Sequence, residues 1–166
     1  MRGFKDGCLY METFAGTATR WAQRVVNSVA ATEPSFCLFS FDVSKAFAKG
    51  MSFEELAELT GQEVRRVEFK LQAVDVPIIR RIPGFETFDP ETEVLSMLKS
   101  IYGLKDAPRA WRKKLDQVLQ SFGMRPSTAD AQIYLLHGPG VKANGRRELK
   151  LILSTHVDDL KGRFWL

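Results

Sequence analysis

The stretch Phe36-Cys37-Leu38-Phe39-Ser40-Phe41-Asp42-Val43 narrows the choice of fold more than any other. It is a continuous apolar run, rich in aromatics and bounded by the turn signals Glu33-Pro34-Ser35, and it predicts a mostly buried, central β-strand. It closes on a carboxylate. An unpaired aspartate at the mouth of an apolar strand is costly unless it meets a cation or a set of donors, so Asp42 is a candidate site residue. A second acidic feature lies near the other end of the chain, Ser154-Thr155-His156-Val157-Asp158-Asp159-Leu160. The apolar segment Glu148 to Leu153 precedes it, so two adjacent carboxylates follow a strand at a tight bend. Paired carboxylates repel and are more comfortable with a divalent cation between them. The same pattern also suits a plain Asx turn in which Asp158 caps the bend.

Length and composition bound the rest. A chain of 166 residues, 45% hydrophobic and 27% charged, is of one-domain size and can bury a core. The net charge of +4 and pI near 9.2 are compatible with a polyanionic partner, as are the clusters Arg65-Arg66, Arg80-Arg81, Arg112-Lys113-Lys114 and Arg146-Arg147. Such clusters also occur on solvated helix faces. Cys8 and Cys37 form neither a disulfide framework nor a metal-ligand pattern, which suits a reducing compartment. No apolar run reaches the length of a membrane span, and the first residues do not form a signal peptide. An intracellular protein, in cytoplasm or nucleus and not secreted, is expected.

Helical spacing runs from Thr13 to Thr32, with Phe14, Ala18, Trp21, Ala22, Val25, Val26 and Val29 on one face and Thr13 as cap. Ser44 to Gly50 reads as a short helical turn closed by glycine. Ser52 and Glu55 form a capping box that opens a helix ending at Gly61. Val64, Val67 and Leu71 predict a second helix over 63–71, and the pair resembles a helix-turn-helix with Arg65 and Arg66 on its second member. Pro77 to Pro90 reads as loop or edge segment, and Val94 to Lys99 as a short strand. Asp106 is placed as N-cap and Pro108 in the first turn of a helix carrying Trp111, Leu115, Val118, Leu119 and Phe122, stopped by Gly123. Two strands follow, Ala131 to His137 and Glu148 to Val157, joined by the turn residues Gly138-Pro139-Gly140 and Asn144-Gly145. Without regular alternation of strands and helices, the expected class is α+β, a mainly antiparallel sheet covered on one face by helices.

Four blocks in this order resemble the reverse transcriptase of copia-type LTR retrotransposons. Arg2-Gly3-Phe4 with Met11-Glu12-Thr13-Phe14-Ala15 resembles the end of the family's fingers segment. Phe41-Asp42-Val43-Ser44-Lys45-Ala46-Phe47-Ala48-Lys49-Gly50 is similar to the block that holds its first catalytic aspartate. Ser100-Ile101-Tyr102-Gly103-Leu104-Lys105-Asp106-Ala107-Pro108-Arg109-Ala110-Trp111 is close to the family's most specific block. Ser127-Thr128-Ala129-Asp130 and His156-Val157-Asp158-Asp159 resemble its Ser-x-x-Asp and Tyr-Val-Asp-Asp blocks.

The resemblance implies an RNA-directed DNA polymerase region of a retrotransposon Pol polyprotein, palm-like, with partial fingers and no thumb. Residues 1–35 would end the fingers, 36–50 and 83–166 form the palm, and 51–82 a helical insert. It implies nucleotidyl transfer to a primer 3′-hydroxyl with two Mg²⁺ ions, or Mn²⁺, held by Asp42, Asp158 and Asp159. It makes Phe47 a steric gate against a ribose 2′-oxygen, with plain core packing as the other reading. Tyr102 and Gly103 would contact the incoming nucleotide and templating base, and Lys105 and Arg109 the template phosphates. Partners would be an RNA or DNA template with primer, deoxynucleoside triphosphates and the remaining Pol segments; the parent element would form a virus-like particle. The chain is expected to start after the basic fingers residues and stop before thumb and RNase H, so the isolated chain is expected to be inactive. His156 replaces the usual tyrosine, and Leu160-Lys161-Gly162 predicts a weak second hairpin arm. A non-catalytic nucleic-acid-binding module using the helix-turn-helix-like insert, or a decayed relic, are the alternatives.

Overall fold

A computed structural model describes residues 13–32, 35–141 and 144–165. The Arg2-Gly3-Phe4 block, Met11-Glu12 and the Glu33-Pro34 break lie outside the described residues. Helix α1 (Arg20–Thr32) leads into strand β1 (Phe36–Asp42) and a 3-10 turn (Ala46–Lys49), and then helix α2 (Phe53–Thr60). Strand β2 (Glu68–Phe69), helix α3 (Val76–Ile79) and strand β3 (Leu95–Ser96) make up the insert and its exit. Helix α4 (Ala107–Ser121) precedes strands β4 (Arg125–Pro126), β5 (Ile133–Val141), β6 (Arg147–His156) and β7 (Asp159–Trp165). The main sheet is antiparallel with the order β1-β7-β6-β5-β4, and β2 pairs β3 in a separate small sheet. The α+β class holds.

The apolar strand β1 lies at the edge of this sheet and not at its centre. Phe39 packs on the core, but Leu38 and Phe41 are each 60% exposed. A continuous apolar run does not distinguish a strand covered on both faces from an edge strand that is open on one side. Helices also cover both faces of the sheet, where one was expected. Trp111, Leu115 and Leu119 of α4 meet Tyr134 and Leu153, whereas Ala22 and Val26 of α1, with Ala18, meet Ile133 and Ile152. Adjacent strand residues point to opposite faces, so Ile133 against Tyr134 and Ile152 against Leu153 divide the two cores.

Helix α1 starts later than its apolar spacing predicts. Thr19, not Thr13, is its cap, with its hydroxyl accepting the Ala22 N–H at 3.1 Å. The preceding segment is irregular instead, the Ala18 N–H donating to the Thr155 carbonyl and the Thr19 N–H to Asp130 Oδ2. Only part of the predicted apolar face is buried; Phe14 and Trp21 are about three-quarters exposed. Asp130 also accepts the Gln132 N–H at 2.9 Å, so one carboxylate holds the start of α1 against the loop before β5. Although burial pushes its pKa up, the backbone N–H groups of Thr19 and Gln132 and the Thr19 hydroxyl outweigh this and hold it below the ordinary value.

The insert departs most from expectation. The capping box forms, Ser52 accepting from the Glu55 N–H at 3.0 Å and Glu55 from the Ser52 N–H at 2.8 Å, and Gly61 closes α2 at φ 67°. No second helix follows over 63–71, so there is no helix-turn-helix. The backbone there serves strand pairing instead: the Met97 N–H donates to the Val67 carbonyl, and Phe69 pairs with Leu95. Arg65 does not project for base contacts; its guanidinium lies 2.6 Å from the buried carboxylate of Asp106. Asp106 stands before α4 but makes no side-chain cap. The predicted loop 77–90 begins inside α3, where Pro77 occupies the first turn. The strand expected over 94–99 reduces to β3 and an isolated bridge from Lys99 to Ser52.

Gly138-Pro139-Gly140 lies within β5, whose pairing with β6 shifts register on both sides of His137. The β6–β7 hairpin arm, expected to be weak, is a full strand of 7 residues paired on both edges. Gly162 is what allows this. A Cβ there would lie 2.5 Å from the Phe39 ring and 2.7 Å from the Ile152 carbonyl oxygen. Gly50 is similar, with the backbone of Ala110 and Trp111 where its side chain would be.

Gly162→Ala should therefore cost roughly 1–3 kcal/mol of unfolding free energy in a urea titration, through displacement of Phe39. Asp130→Ala should cost roughly 1–3 kcal/mol at pH 7. Because the folded-state pKa of Asp130 is depressed, its contribution is complete above the ordinary carboxylate value of about 3.9 and fades as pH falls through the folded-state value. The gap between variant and parent in urea titrations should thus narrow below about pH 4.

Candidate active site

The sheet brings the distant acidic residues together at one end. Asp42 ends β1 and stands directly opposite Asp159, the first residue of β7. One step further, the Val43 N–H donates to the Asp158 carbonyl at 2.9 Å. That bond makes Val43 and Asp158 a hydrogen-bonded pair, so Asp42 and Asp159 occupy the adjacent non-hydrogen-bonded position, where facing side chains come closest. Asp159 also pairs across β6 with His156. Cross-strand partners share a face, so Asp42, Asp159 and His156 form one row across three strands, on the α1 side. In the sequence His156 stands out only as a departure from the family's tyrosine. Its place in this row follows from the two-residue turn Val157-Asp158, which fixes the pairing of 156 with 159.

Among the described residues, no three acidic, histidine or cysteine side chains converge into a ready-made metal cage. What the fold provides is two carboxylates opposite one another on exposed strand ends, with a third in the adjoining turn. The oxygen-only aspartate set suits a hard divalent cation, and the repulsion between Asp42 and Asp159 would be relieved by one.

The backbone around these residues is strained in two places. Lys45 and Val157, both at φ 55°, are the only non-glycine residues with positive φ among the described residues. One lies three residues after Asp42 and the other immediately before Asp158. A β-branched residue in this region is a genuine outlier, costing on the order of 1–3 kcal/mol, and such strain collects at functional sites. The indole Nε1–H of Trp111 donates to the Val157 carbonyl at 2.7 Å, joining α4 to this turn. Around them, Phe47, Trp111, Thr155 and Val157 line a small cavity of about 100 Å³.

Phe47 and Tyr102 meet, their rings 4.7 Å apart and tilted by 45°. Phe47 packs against the α4 core and Tyr102 is half exposed, so the pair runs from core to surface. Gly103 follows at φ 96°, which an L-residue rarely adopts. Lys105 is half buried. Arg109 is only 5% exposed and donates to Gln62 Oε1 at 3.2 Å. With Asp106 and Arg65 it lines a cavity of about 440 Å³ between α2 and the start of α4. The structure thus joins Phe47 to Tyr102, and Asp42 to Asp158 and Asp159, but directs Arg109 to the insert. Further along α4, Arg112 lies over the Tyr134 ring and the Tyr134 hydroxyl donates to Asp116 at 2.6 Å. Burial, then that carboxylate, pushes the Tyr134 pKa up to about 12.

A model of the reverse transcriptase (RNA-dependent DNA polymerase) family matches residues 69–161, more than half of the chain, and the chain belongs to that family. The matched span includes Tyr102, Gly103, Lys105, Arg109, Asp158 and Asp159; Asp42 and Phe47 precede it. The chain is similar to the retrovirus-related Pol polyprotein from transposon RE2 of Arabidopsis thaliana, 28% identical over 156 residues, and to that from transposon RE1, 27% identical over 156 residues. Each alignment covers 94% of this chain but 9% of the relative, so the chain spans under a tenth of their length. No solved structure matches the chain significantly.

Like charges directly opposite in an antiparallel pair are destabilising, so Asp42→Asn should stabilise the metal-free protein in EDTA by ~0.5 kcal/mol at low salt. The gain should shrink in 0.5 M NaCl as screening shortens the reach of the charges. Thermal melts at the two salt concentrations check this.

Proposed function

We propose that the chain is the palm portion of the RNA-directed DNA polymerase of a copia-type retrotransposon Pol polyprotein, with Asp42, Asp158 and Asp159 as its metal ligands. The observation that carries this reading is the register of β1 on β7, which sets Asp42 opposite Asp159 and bonds the Asp158 carbonyl to the next residue of β1. In this reading residues 36–50 and 83–166 form the palm and 51–82 the insert, whose helical content is α2, α3 and a 3-10 turn over Ala73–Asp75.

Divalent cations, Mg²⁺ or Mn²⁺, would supply Lewis-acid activation of the primer 3′-hydroxyl and neutralisation of phosphate charge. The chain's own residues hold and orient. The three carboxylates offer oxygen ligands from the ends of two adjacent strands and from the turn beside them, a fixed base for ion positions. Phe47 and Tyr102 form an aromatic wall, with Phe47 set to exclude a ribose 2′-oxygen and Tyr102 and Gly103 lying against the nucleotide and the templating base. Glycine at 103 lets backbone approach a ligand without a side chain. Lys105 and Arg109 would contact template phosphates; for Arg109 this requires leaving Gln62. The substrates would be a primed RNA or DNA template and deoxynucleoside triphosphates.

The test is Mn²⁺ binding followed by EPR on the folded chain, together with paramagnetic broadening of amide signals. Binding should broaden residues 42–43 and 157–159 first, and Asp42→Asn with Asp158→Asn should weaken affinity about 100-fold or more, the scale of losing charged ligands worth several kcal/mol. A folded chain that binds Mn²⁺ elsewhere, or as well in the double variant, overturns the assignment.

A further inference from the structure

We propose that Trp111 is a positioning residue for Asp158, acting through the strained turn, in a site whose assignment rests on the function proposed above. Asp158 is flanked by two peptide groups, and each is fixed by a different part of the fold. The peptide before it carries the Val157 carbonyl, which accepts the Trp111 indole N–H at 2.7 Å. The peptide after it carries the Asp158 carbonyl, which accepts the Val43 N–H at 2.9 Å. With both planes held, the Cα of Asp158 and the direction of its Cβ are set by the backbone, without any bond to the carboxylate itself. The carboxylate stays available to a ligand.

The left-handed Val157 is the mark of this arrangement. Valine does not choose φ 55° by itself, so surrounding contacts must over-determine the turn. Trp111 can supply such a contact because it is 7% exposed, packed in the core with Leu115 and Leu119, and fixed in α4, so its donor is held in place. Gly50 seals the other side, bringing the backbone after Asp42 into contact with Ala110 and Trp111. One residue of α4 thereby couples the strand carrying Asp42 to the turn carrying Asp158. Trp111 does not touch the reacting atoms; it fixes the geometry of a residue that does.

Three measurements test this on the whole chain. Trp111→Phe keeps an aromatic ring but removes the donor and should weaken Mn²⁺ binding by EPR about tenfold. Leu115→Ala, which removes packing from the same core without touching the turn, should lower the melting temperature and leave Mn²⁺ affinity unchanged. A merely structural tryptophan would behave like Leu115. If wild type binds Mn²⁺ at the aspartates and Trp111→Phe binds it equally well, the inference fails and the site assignment stands. If wild type binds none, the assignment fails, and the clamp is judged on stability alone. In wild type, loss of the donor also releases the left-handed strain, which Val157→Gly has already removed, so Trp111→Phe should destabilise more in the Val157→Gly background than in wild type; additive effects overturn the clamp. Should Trp111→Phe not fold, hydrogen exchange on wild type decides. The Trp111 indole proton should exchange at least 100-fold more slowly than that of Trp21, and exchange only as slowly as burial of its neighbours predicts, with no change in Val157→Pro, overturns it.

Discussion

The hydrogen bond from the Val43 N–H to the Asp158 carbonyl fixes the register on which the rest of this structure depends. A strand slipped by one residue sends every side chain to the opposite face. Here such a slip would part Asp42 from Asp159 and move Phe39 off the core at once. The register is held from two directions. Phe39 lies over Gly162, where any side chain would collide, so this pairing is the one in which the ring has room. At the other end the two-residue turn between β6 and β7 sets Asp159 opposite His156, leaving no length for adjustment. Core packing and site geometry are therefore one constraint. The strand that sets Phe39 on the core is also what delivers Asp42.

The strain at Lys45 and Val157 fits this picture energetically. Each costs on the order of 1–3 kcal/mol, a substantial fraction of the 5–15 kcal/mol by which domains are stable. Such residues persist only where surrounding structure over-determines them. Both are next to segments held by α4: Lys45 leads into the 3-10 turn packed on that helix, and Val157 receives the Trp111 donor. Asp130 acts in a related way at a distance from the acidic row. By accepting the N–H groups of Thr19 and Gln132 it fixes α1 on the opposite face of the sheet. The two helices, on opposite faces of the sheet, are thus anchored independently of each other.

Much of this was legible in the chain, and the parts that were not have physical reasons. The long helix α4 could be read from Pro108, Trp111, Leu115 and Gly123, because its period, start and stop agree. The Ser52–Glu55 box marks α2 for the same reason. Asp42 and Asp158 could be picked out as carboxylates at strand ends, but their meeting depends on register, which no local pattern encodes. The edge position of β1 was hidden because apolar continuity looks alike at edge and centre. Helical spacing at Val64, Val67 and Leu71 was overridden by strand pairing with β3, a long-range contact. Thr13 and Thr19 are equivalent as caps by residue type, and only the non-helical segment bonded to Thr155 and Asp130 separates them. Glycine at 162 reads as weakness because its neighbour, Phe39, is distant in sequence.

The insert changes how the basic residues should be read. Clusters such as Arg65-Arg66 suggest a polyanion-binding face when only the sequence is considered. In the fold, Arg65 is engaged with Asp106 and Arg109 is directed to Gln62, both around a cavity between α2 and α4. A guanidinium engaged with a buried carboxylate is poorly placed to recruit phosphate, since removing either partner leaves a charge desolvated. The net charge of the chain therefore overstates the cation surface open to nucleic acid at this end of α4. What the Arg65–Asp106 pair does instead is fasten an irregular segment onto the helix that also carries Trp111. The insert is thus fastened to the start of α4, with the guanidinium groups of Arg65 and Arg109 engaged there.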